Sequence, residues 1–100
     1  MIDVLPHDLK IIKQILKKYV PDCEIRAFGS RVAGKAKVYS DLDLVIVGAK
    51  KIERKNMVVL KEAFEDSKLN FRVDIIDWQT ISKSFRKIIE SEYEIVVGKE

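Results

Sequence analysis

One hundred residues, 47% hydrophobic and 35% charged, describe one small domain over 1–100, able to bury one core with little room for a second lobe. Nineteen Lys and Arg against sixteen Asp and Glu leave +3, short of the basic footprint of a nucleic-acid binder, so direct nucleic-acid binding is not expected. A lone Cys23 excludes an intrachain disulfide, no apolar run nears the roughly 18 residues of a membrane span, and the acidic start is no signal peptide, so a cytoplasmic protein without membrane contact is expected.

The spacing of Leu9, Ile12, Leu16 and Tyr19 predicts an amphipathic helix over 6–20, with Pro6 in its first turn and Pro21 past its end. Its lysines form a solvated face. Alternation over 23–28 predicts a first strand, with Cys23, Ile25 and Ala27 inward. The run "DLDLVIV", 41–47, predicts a second strand with Leu42, Leu44 and Ile46 on one face and Asp41, Asp43, Val45 and Val47 on the other. Met57, Leu60 and Phe64 mark a helix over about 53–66. "NFRVDII", 70–76, predicts a third strand with Arg72, Asp74 and Ile76 sharing a face. Asp77 is placed as the cap of a last helix carrying Trp78, Ile81, Phe85 and Ile88, and "YEIVVGKE" is a short strand or a frayed end. The order α-β-β-α-β-α, with or without a final β, predicts an α/β (α+β) domain: one sheet with helices mainly on one side.

Asp41 and Asp43 leave the same face of their strand, and two carboxylates that close repel unless a cation lies between them. A divalent ion resolves the conflict, and Mg²⁺ accepts one or two carboxylates with phosphates and water. If the third strand lies beside the second in register, Asp74 joins them. Three carboxylates can hold two metals and serve phosphoryl or nucleotidyl transfer, the third also accepting the proton of an attacking hydroxyl. Gly29 permits close backbone approach to a ligand, Ser30 offers a hydroxyl and can cap a short helix, and Arg31 and Lys35 add positive charge for phosphate. Gly29 to Lys35 also satisfies the first seven positions of a P-loop, but Ala36 stands where Ser or Thr is needed and no helical stripe follows.

The stretch "GSRVAGKAKVYSDLDLVIVG" with the later "RVDII" resembles the G-S…S-D-x-D signature of the DNA polymerase beta nucleotidyltransferase superfamily, and the helix-first order is similar to its minimal nucleotidyltransferases, of MNT or MntA type. The resemblance covers nearly the whole chain. It implies a small mixed sheet with helices packed behind it, the nucleotidyltransferase fold. It implies that Gly29 and Ser30 hold nucleotide phosphates, that Asp41 and Asp43 ligate Mg²⁺, and that Asp74 is the third carboxylate. It also implies an antitoxin of a toxin–antitoxin pair, moving AMP from ATP to a tyrosine of a HEPN-domain ribonuclease. Two positions depart from common versions: Val32 replaces a frequent alanine, and Ala33 stands where a second arginine often sits.

The reading is therefore an adenylyltransferase with catalytic and metal-ligating Asp41, Asp43 and Asp74, with Gly29, Ser30, Arg31 and Lys35 binding the nucleotide, two Mg²⁺ ions, ATP as substrate, and a HEPN partner or a homodimer supplying the missing wall. The alternative is a nucleotide-binding subunit, catalytically weak, that neutralises its partner by covering it. Other residues read as structural. Cys23, Trp78 and Phe85 belong to packing, His7 is structural or exposed, Ser40 braces the turn before the second strand, and Tyr39 is packed or exposed rather than a base platform. Arg72 either neutralises the carboxylates or reaches a nucleotide.

Overall fold

The computed structural model describes residues 2–98. Pro6 opens α1 (Pro6–Tyr19), which buries Ile12 and Leu16 and carries Lys17 and Lys18 in its last turn, where cations favour the negative helix end. β1 (Glu24–Phe28), a short α2 (Ser30–Ala33), β2 (Leu42–Val47), α3 (Arg54–Glu65) and β3 (Val73–Asp77) follow. A 3₁₀ turn (Trp78–Thr80), α4 (Lys83–Ser91) and β4 (Glu94–Val97) complete the order.

The strands form one mixed sheet, ordered β3-β2-β1-β4. β1 runs antiparallel to both β2 and β4, while β2 and β3 are parallel. A parallel pair needs a crossover, and α3 provides it. The inner face carries Ile25, Ala27, Leu42, Leu44, Ile46 and Ile75. Ile12 and Leu16 of α1 and Leu60 and Phe64 of α3 complete this core. Each such aliphatic chain taken fully out of water contributes about 1.5–3 kcal/mol.

The opposite face is only partly clothed. Phe28 and Val45 alternate with the core residues and so belong to it. Phe85 of α4 meets Phe28 edge-on, with ring centroids 5.8 Å apart. Arg26 stacks between Trp78 and Tyr93, at 5.2 and 4.5 Å from their centroids. Helices α1 and α3 thus cover one face, and α4 reaches part of the other.

The helix expected to follow Asp77 is interrupted. Asp77 caps the 3₁₀ turn, accepting from Gln79 N–H at 2.9 Å and from Ile52 N–H at 2.7 Å. The chain is extended at Ile81, and α4 starts only after Ser82, whose hydroxyl accepts from Phe85 N–H. β3 begins later than expected, at Val73, and the ambiguous tail is a strand, β4. Among the described residues no helix is long and apolar enough to cross a membrane.

Asp77 is 5% exposed, and both its oxygens satisfy backbone donors. Asp77→Ala orphans these, so it should lower unfolding stability in urea by about 1–3 kcal/mol, and Asp77→Asn by less.

Candidate active site

Period-two geometry places Asp41 and Asp43 on the face opposite Leu42, Leu44 and Ile46. The parallel register then pairs Asp43 with Asp74, Leu42 with Val73 and Leu44 with Ile75. Leu42 N–H donates to Arg72 carbonyl at 2.9 Å, extending the ladder to the strand entrances. The two carboxylates are therefore direct lateral neighbours. Asp41, just before β2, is exposed; Asp43 and Asp74 are half-buried. Asp77, in phase with Val73 and Ile75, belongs to the other face and is no part of this group.

On the other side of β2, Asp43 pairs with Phe28, the last residue of β1. The chain leaves β1 at Gly29, where φ is +80° and ψ is −157°, a combination essentially confined to glycine. A Cβ there would lie 2.3 Å from Asp43 Oδ2. Backbone and carboxylate can share this space only because residue 29 has no side chain. Gly29 carbonyl accepts from Val32 and Ala33 N–H, both at 3.0 Å, opening α2 directly against the carboxylates. Ser30 is the first residue of that helix rather than its cap, and makes no side-chain capping bond. The first N–H groups of such a turn have no intrahelical acceptor. Gly34, at φ +76°, closes α2 after four residues. The long helix of a P-loop is absent here, as the missing helical stripe after Lys35 implies.

Arg31 departs from the expected phosphate-facing role. It is 6% exposed, and its guanidinium donates to the carbonyls of Ser40 at 2.8 Å, Asp3 at 2.7 Å and Val38 at 3.1 Å. It also lies 4.2 Å from the Phe71 ring centroid. Arg31 ties the N-terminal segment and the 38–40 turn to α2. This role requires carbonyls distant in sequence, and no local spacing announces it. Lys35 sits on the exposed turn after α2, its N–H bonded to Ser30 carbonyl. Ser40 does brace its turn, its hydroxyl accepting from Lys37 N–H at 2.8 Å. Arg72 is exposed and forms no ion pair with the carboxylates; Cys23 packs against the core, and His7 is exposed.

Asp43 has its pKa raised above the usual carboxylate value, first by burial, then by the charge of Asp74, then by that of Asp41. Among the described residues no cation or side-chain donor compensates the three. Nor do three acidic, histidine or cysteine side chains already sit at metal-binding spacing. The group is an uncompensated set of oxygen donors, with Asp43 and Asp74 paired by the sheet. That chemistry suits a hard divalent cation and its phosphate ligands.

The family model described as Polymerase beta, Nucleotidyltransferase matches residues 10–100. A relative in Haemophilus influenzae, named as a probable protein adenylyltransferase MntA, is 48% identical over 99% of this chain and 87% of its own length. A chain of a toxin–antitoxin crystal structure with AMP-PNP superimposes with a TM-score of 0.77 at 21% identity, covering 93% of this chain and 75% of that one. A chain from the complex of tri-AMPylated Shewanella oneidensis HEPN toxin with MNT antitoxin gives a TM-score of 0.70 at 20% identity, covering 93% of this chain and 71% of that one. These structures share the fold.

Gly29→Ala should lower stability by about 1–3 kcal/mol through backbone strain alone, read from a urea melt. For Asp43 the sign follows from the raised pKa. The unfolded chain ionises this carboxyl more readily, so its charge opposes folding at neutral pH and ceases to do so as pH falls through the folded-state pKa. Asp43→Asn, in chelator, should therefore raise the Tm at pH 7, and the gap should close in acid.

Proposed function

The chain belongs to the polymerase beta nucleotidyltransferase family, and from that premise we propose that it transfers AMP from ATP to a hydroxyl of a HEPN-domain partner, as the antitoxin of a toxin–antitoxin pair. The relative named as a probable protein adenylyltransferase supports the reaction, and the tri-AMPylated HEPN toxin in complex with an MNT antitoxin supports the partner. The observation that carries the reading is the register setting Asp43 beside Asp74, against the bend at Gly29.

In the proposed reaction the acceptor hydroxyl oxygen forms a bond to the α-phosphorus of ATP. The bond from that phosphorus to the oxygen bridging to the β-phosphate breaks, and pyrophosphate leaves with its electron pair. Asp74, lateral to Asp43 and half-exposed, takes the hydroxyl proton. Gly29 and Ser30 hold the phosphates with backbone N–H groups and the serine hydroxyl. Asp41, Asp43 and Asp74 would hold Mg²⁺, which when bound supplies positive charge for the α-phosphate and the departing pyrophosphate. Arg31 acts at one remove, fixing the turn that leads into Asp41.

ATP labelled at the α-phosphate, Mg²⁺, this protein and a HEPN-domain partner should yield labelled partner. Asp43→Asn should slow labelling about 10²–10³-fold, the scale of losing one charge-stabilising group, and excess EDTA should abolish it. An unlabelled partner in a stable complex that tolerates Asp43→Asn would establish a covering subunit instead.

A further inference from the structure

Large apolar side chains gather, exposed, at the end of the sheet where the carboxylates lie. Val38 is 72% exposed and Tyr39 86%, and both sit at the tip of the turn closed by Ser40 N–H to Lys37 carbonyl at 3.0 Å. Turn tips normally carry Gly, Pro, Asn, Asp or Ser. Leu5, 71% exposed, lines with Val38 a groove of about 660 Å³ between the N-terminal segment, the turn and Phe71. Isolated exposed apolar residues are ordinary, but a cluster bordering one groove marks a contact surface.

This surface is also held in place. Arg31 bonds the carbonyls on both sides of Tyr39, those of Val38 and Ser40, and the carbonyl of Asp3 in the N-terminal segment. Asp3 N–H returns a bond to Arg31 carbonyl at 2.7 Å. The tip and the groove wall are thus fixed by one buried side chain, so little ordering entropy remains to be lost on contact. Tyr is among the residue types that dominate binding energy at protein interfaces.

The geometry points to Leu5, Val38 and Tyr39 as the docking surface for the acceptor protein, the contact that delivers its hydroxyl to the carboxylates. This rests on the proposed AMP transfer and names the part of this chain that selects the acceptor. Position decides the occupant: Tyr39 stands two residues before Asp41, their Cα atoms no more than about 7.6 Å apart, so a protein presenting a hydroxyl at Asp41 and Asp43 comes within reach of the tip. Charge adds to this. Lys35 and Lys37, both exposed, flank the tip, so the complementary surface is apolar at its centre and acidic at its edge. A nucleobase is the poorer fit, because a ring this exposed offers one open face and no opposing wall.

The test uses this chain with its HEPN-domain partner in the labelling assay, and Tyr39→Ala and Val38→Asp as separate variants. Both positions are exposed, and the unfolding midpoint should not move. The KM for the acceptor should rise at least about tenfold, the scale of losing one interface anchor, with kcat and the calorimetric affinity for Mg²⁺–ATP unchanged within twofold. An unchanged acceptor KM in a wild type that transfers AMP overturns the docking surface alone. A rise in the KM for ATP instead assigns Tyr39 to the base and also overturns it. A wild type that binds the partner without labelling it overturns the transfer reading. If that binding weakens in both variants, the docking surface stands without it.

Discussion

The arrangement depends on an electrostatic conflict built into a sheet. Parallel pairing of β2 with β3 sets Asp43 beside Asp74, and neither has a cationic partner among the described residues. Left alone, such a pair opposes folding, and the raised pKa of Asp43 expresses its burial first and the charge of Asp74 second. The same strands overcome it on their reverse side. Leu42, Leu44 and Ile46 are fully buried, and at about 1.5–3 kcal/mol each they outweigh a half-solvated repulsion. The alternation of β2 thus assigns stability to one face and latent charge to the other. A cation arriving with phosphates would turn the destabilising face into a binding site.

Two glycine and arginine devices keep that face usable. Gly29 lets the backbone run against Asp43 without a side chain between them, at a φ and ψ that other residues tolerate poorly. Arg31 then stabilises what α2 cannot. Four residues make too short a helix to organise a loop, and the segment to Asp41 has no strand or helix of its own. A buried guanidinium satisfied by three carbonyls and an aromatic ring supplies the missing order. Its charge is therefore turned inward to the fold rather than outward to a ligand.

Much of this was legible in the amino-acid order, and the limits have physical causes. Period-two alternation put Asp41 with Asp43 and put Asp74 on the face away from Val73 and Ile75, while Asp77 was set apart as a helix cap rather than by its phase. Only register was missing, because the offset between parallel strands is set by how Leu42 meets Val73 and Leu44 meets Ile75 across the crossover. The helix after Asp77 misread because Trp78 and Phe85 share helical spacing yet reach the second face through different elements, a 3₁₀ turn and α4. Arg31 misread for a deeper reason. An arginine beside a glycine bend looks alike whether it meets phosphate or backbone, and the carbonyls that decide it come from positions 3, 38 and 40.

On the proposed function, the uneven clothing of the sheet bears on what the acceptor protein must supply. Helices α1 and α3 are spent on the core face, and α4 reaches Phe28 but leaves Asp41 exposed and Asp43 and Asp74 half-buried. No further element remains among the described residues to close the carboxylate side. On the proposed reaction, water exclusion and acceptor alignment must then come from the acceptor itself. Contacts outside the catalytic group would set specificity, and the rigid tip at Val38 and Tyr39 stands where such contacts have to fall.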